Sequence, residues 1–89
     1  MADLEVLIAA LWREARPRLL VRVQALEDAW GAGDRERAAA EAHTLAGTLG
    51  SFGRPAATEE ARAAEAAVAA GDHAGVAAAV RSLRAEMER

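Results

Sequence analysis

The sequence predicts an all-α fold, an antiparallel up-down-up-down four-helix bundle, on three observations. Apolar residues recur at intervals of three or four through nearly all of the 89 residues, which is the period of an amphipathic helix. Gly, Pro and Asp cut this pattern into four segments at 31 to 34, at 53 to 55 and at 71 to 72. The links are one to three residues long, and links that short make consecutive helices antiparallel neighbours. No alternating strand pattern competes. A chain of this size holds one core, so residues 1–89 are expected to form a single domain.

The first segment runs from Asp3 to Trp30, with Leu4, Ile8, Leu11, Ala15, Leu19, Val23, Leu26 and Trp30 as its predicted seam and Asp3 as its predicted N-cap. Pro17 removes a backbone donor inside it, so a helix kinked or split near Pro17 is expected. The second helix starts behind Asp34 and carries Ala38, Ala42, Leu45, Leu49 and Phe52 on one stripe, with Gly53 placed to end it. Pro55 suits the first turn of the third, whose seam is Ala57, Ala61, Ala64 and Val68. Asp72 caps the fourth, which presents Val76, Val80, Leu83 and Met87. With 26 alanines and 3% aromatic residues, the helices must pack closely.

Composition excludes several functions. A net charge of -3 with a pI of about 5.3 argues against nucleic acid, which is bound by clustered positive charge. The absence of Cys removes disulfides, thiolate catalysis and Cys-based zinc sites. His43 has no His, Asp or Glu three or four residues further on, so no metal pair forms on its helix. There is no stretch of about 20 apolar residues to span a membrane, and the N-terminus has acids at Asp3 and Glu5 in place of a cationic leader. A cytoplasmic location is expected.

One helix face asks for a further explanation. With Leu45 at the origin and about 100° per residue, His43 falls near 160°, opposite the seam, in the company of Ala39, Ala40, Gly47 and Gly50. A solvated face usually carries Glu, Lys, Arg and Gln, and each interior Gly costs about 1 kcal/mol relative to Ala. Two glycines beside one exposed histidine leave an imidazole on a smooth platform that another protein can approach.

The run Ala-His-Thr-Leu-Ala-Gly-Thr-Leu-Gly-Ser-Phe-Gly, residues 42 to 53, resembles the signature of histidine-containing phosphotransfer (Hpt) domains, approximately A-H-x-L-K-G-x-x-x-x-x-G. The resemblance places His43 on the phosphoacceptor, Leu45 on the core leucine, Gly47 on the glycine that clears space beside the ring and Gly53 on the helix-ending glycine. It aligns Glu65 with an acidic residue common in the third helix. The sequence departs from the pattern at Ala46, where the family usually carries Lys; Arg18 and Arg22, on the first helix at the level expected for residue 43, are candidates to supply the missing charge.

The resemblance implies a phosphorelay intermediate without autonomous enzymatic activity, passing a phosphoryl group between receiver-domain aspartates in a bacterial-type two-component pathway. Its implied partners are response-regulator receiver domains and a hybrid or sensor histidine kinase, with Mg²⁺ on the receiver and no cofactor on this chain. Gly47, Ala46, Gly50, Ala39, Ala40 and Leu20 are the expected docking surface, with Val6 and Trp12 as weaker additions, and the chain is expected to act as a monomer. Two alternatives stand beside this reading. One is a degenerate helical module that binds a receiver or kinase without accepting phosphate; the other is a structural helical dimer.

Overall fold

The computed structural model describes residues 2–89 and contains four helices: α1 (Ala2–Gly31), α2 (Arg35–Ser51), α3 (Pro55–Ala70) and α4 (His73–Met87). No strand occurs among the described residues. Each helix packs on its neighbours in chain order, and α4 returns to α1 to close the bundle.

The boundaries follow from local chemistry. Asp34 accepts a hydrogen bond from the Arg37 amide and Asp72 one from the Gly75 amide, so each satisfies a donor that the first helical turn leaves free. Gly71 ends α3 in the left-handed conformation at φ 68°, which a side chain would strain. Arg35 completes that end: its guanidinium donates to the carbonyls of Val68 and Ala69 at 3.0 and 2.8 Å, tying the start of α2 to the finish of α3. At the same end of the bundle the Trp30 ring lies 4.8 Å from that of His73.

The core is aliphatic and small. Val23, Leu26, Leu45, Leu49, Val68, Leu83 and Met87 are its largest fully buried side chains. Ala42 on α2 and Ala61 and Ala64 on α3 are also sealed from solvent, and methyl groups on both sides of a contact bring helix axes to the short end of the 8 to 10 Å range.

The first helix spans the expected segment and continues through Pro17 without a break, so it is not split; the packed stripe Ala15, Leu19, Val23 and Leu26 runs past the proline. Two of its features depart from the sequence-based description. Asp3 lies inside the first turn, beyond the position of a cap. The other is the amino-terminal part of its seam, because α1 has 30 residues against 15 to 17 in the others. At 1.5 Å per residue it reaches about 45 Å, the full 45 Å length of the molecule. Its amino-terminal third therefore outruns its neighbours. Leu4, Ile8 and Leu11, predicted as seam, are exposed with Val6 and Leu7 because no helix stands opposite them. Burial begins at Trp12, whose ring meets Phe52 edge-on at 5.6 Å and lies under the Arg54 guanidinium at 4.1 Å. Trp30, also predicted as seam, is only half-buried.

Candidate functional site

His43 stands at the middle of α2 with its side chain 78% exposed. The helix that carries it is fixed by Ala38, Ala42, Leu45, Ala46 and Leu49 on the buried side, which directs residue 43 outward. Across the groove, Glu65 on α3 brings Oε2 to 3.1 Å from His43 Nδ1. The burial of Ala61, Ala64 and Val68 sets α3 so that Glu65 faces α2.

This contact decides which ring nitrogen is available. A carboxylate offers only acceptor oxygens, so the partner nitrogen must be the donor. With Nδ1 carrying the proton toward Glu65, Nε2 of a neutral ring keeps its lone pair. The arrangement thus presents one oriented nucleophilic nitrogen, with a carboxylate behind it to stabilise positive charge on the ring.

The surroundings are bare along α2. Gly47 and Ala40 are exposed, and a methyl group built on Gly47 would meet no neighbouring element within 4 Å. Gly50 is also exposed, and a methyl group there would reach only Thr58 Oγ1 of α3, at 4.0 Å. Ala39 is half-buried against the core.

Four expected site residues lie elsewhere. Ala46 is 6% exposed and belongs to the core, and so forms no part of the accessible rim around the ring. Arg18 and Arg22 line a groove between α1 and α2 with Thr44 and Thr48, whereas His43 leans toward α3. Arg22 also donates to Glu41 at 3.5 Å. Leu20 is half-buried against the core and Trp12 is sealed beneath Arg54, which leaves Val6 as the exposed member of that apolar set.

The His43 and Glu65 pair was visible in sequence only as two separate residues 22 apart; the antiparallel pairing of α2 with α3 joins them. Among the described residues, no group of three or more His, Asp or Glu side chains is arranged to hold a metal ion, and no helix is long and apolar enough to cross a membrane.

No curated protein and no solved structure matches the chain at a significant level. The family model for the Hpt domain does, over residues 6–89. That span takes in all of α2, α3 and α4 and all but the first turn of α1, so an exposed histidine at mid-helix on a four-helix bundle and the family match agree: the chain belongs to the Hpt domain family.

Proposed function

We propose that His43 accepts a phosphoryl group from the aspartyl phosphate of a receiver domain and returns it to the aspartate of another, acting as a monomeric, cytoplasmic relay in a bacterial-type pathway. Hpt domains serve histidine phosphotransfer in phosphorelays and interact with receiver domains and histidine kinases. The observation that carries the reading for this chain is the exposed His43 ring held through Nδ1 by Glu65 at 3.1 Å.

The chemistry is balanced with few protein groups. The Nε2 lone pair attacks phosphorus, the P–N bond forms, and the acyl P–O bond breaks with its electrons going to the departing aspartate carboxylate. Nδ1 keeps its proton, so the ring becomes cationic and Glu65 lies against that charge. No general base is needed, because the attacking nitrogen carries no proton. Phosphoryl transfer depends mainly on in-line positioning and charge neutralisation, and His43 on a packed helix supplies the positioning. The Mg²⁺ of the reaction is assigned to the receiver.

Incubation with a phosphorylated receiver tests the proposal. Wild type is expected to acquire acid-labile, base-stable label, and His43→Gln is expected to acquire none. Binding of the receiver without label in wild type would replace the proposal with the non-accepting module.

A further inference from the structure

A phosphoryl group on His43 would bring a dianion beside the Glu65 carboxylate, and the α2 face around the ring offers no positive charge. Its members are Ala39, Ala40, Gly47 and Gly50, and Ala46 beside them is buried. Most arginines are engaged elsewhere: Arg22 with Glu41, Arg16 with Glu88, Arg84 with Glu27, Arg89 with Glu86, Arg35 on the end of α3, and Arg54 over Trp12.

The pairing of α2 with α3 identifies a cation. Glu65 stands across from His43 and Thr58 across from Gly50. Seven residues forward on α2 are therefore matched by seven residues back on α3, as in an antiparallel pair in constant register. Three forward from His43 is Ala46, and three back from Glu65 is Arg62, the single arginine of α3. Arg62 is thus opposite the alanine one turn along from the acceptor ring, on the same flank of α3 as Glu65, since residues three apart on a helix are neighbours. It lines the α2 and α3 groove with Gly50 and Thr58. It is exposed and forms no ion pair among the described residues. The 3.1 Å contact of Glu65 with His43 shows that a side chain of α3 spans this groove, and Arg is longer than Glu. The open space at Gly47 leaves room for a guanidinium beside the ring.

The geometry points to Arg62 as the phosphoryl-binding residue of this site, its guanidinium donating to the phosphoryl oxygens on His43 and offsetting the negative charge of Glu65. The fork of donors on Arg suits the oxygens of a phosphoryl group. This inference rests on His43 being the phosphoacceptor, and the test separates the two.

Phosphoramidate, a small phosphoryl donor that needs no docking surface, is used to label wild type, Arg62→Ala and Arg62→Lys, and the phosphoryl signal is titrated by ³¹P NMR. Arg62 favours the dianion, so its removal is expected to raise the midpoint of the monoanion-to-dianion transition, with Arg62→Lys near wild type. Against a phosphorylated receiver, the labelled fraction of Arg62→Ala at equilibrium is expected to fall by about 3- to 10-fold, the range of one charge-assisted contact at a surface site. A purely structural residue would not move the phosphoryl titration. If wild type is labelled on His43 and Arg62→Ala titrates identically, the assignment of Arg62 is overturned while the acceptor stands. If His43 takes no label from either donor, the acceptor reading fails and Arg62 falls with it.

Discussion

Glu65 meets Nδ1, and not Nε2, of His43 at 3.1 Å, so the outward nitrogen is the unprotonated one in the neutral ring. Removing the acceptor should release the tautomer. Glu65→Ala is expected to slow phosphotransfer to His43 by roughly tenfold, the effect of losing one orienting partner of a functional histidine, while Glu65→Gln, which keeps an acceptor oxygen, retains much of the rate. Ring ¹⁵N shifts report the tautomer directly, and an unchanged Nδ1–H population in Glu65→Ala would contradict this account. Folding stability should change by less than about 1 kcal/mol, because the pair is exposed.

Gly47 leaves space beside His43 that no neighbouring element fills. Gly47→Arg is expected to fold at least as well as wild type, since Arg exceeds Gly in helix propensity by about 0.8 kcal/mol. Transfer from a receiver should nevertheless drop by roughly tenfold or more, because the new side chain stands where the partner must approach. Labelling by phosphoramidate, which needs no docking, should persist. Equal losses with both donors would show that Gly47 acts on the chemistry itself.

Trp12 seals the end of the bundle where α1 leaves its neighbours. Trp12→Ala is expected to cost about 3 to 5 kcal/mol in urea unfolding. Arg54→Ala removes the side chain that lies over the ring and reaches the Arg89 carbonyl and should cost about 0.5 to 1 kcal/mol, with a red shift of tryptophan fluorescence as Trp12 becomes wet. A Trp12→Ala variant as stable as wild type would place the ring outside the core.

Pro17 lies inside a continuous helix and cannot donate to the carbonyl of Arg13. Pro17→Ala restores that bond and is expected to raise stability by about 1 to 3 kcal/mol. A decrease in the urea midpoint would mean that the proline geometry is required for α1 to pack.

Much of the fold was legible because its signals are local. Asp34 and Asp72 cap α2 and α4, and Gly71 ends α3, as their side chains or lack of one require. The stripes on α2, α3 and α4 are buried as spaced, except that Phe52 lies just past the end of α2 and is half-buried. On α1, Leu4, Ile8 and Leu11 keep helical period yet lie exposed. Periodicity marks a face as apolar but carries no information on whether a neighbour is long enough to cover it. Trp12 shows the converse: its position in the helical period falls outside the seam, and Phe52 and Arg54, from a turn 40 residues later, enclose it.

The sequence alone determined four helices, their boundaries and an outward histidine on a glycine-bearing face, because caps, turns and the 3.6-residue period depend on residues close in the chain. Tertiary structure decided which nitrogen of that histidine is held, that Ala46 is buried, and that Arg62 lies across from it while Arg18 and Arg22 line a different groove. Those relationships depend on the register and separation of α2 and α3, which are set by alanine packing between helices and not by any residue's own neighbours in sequence.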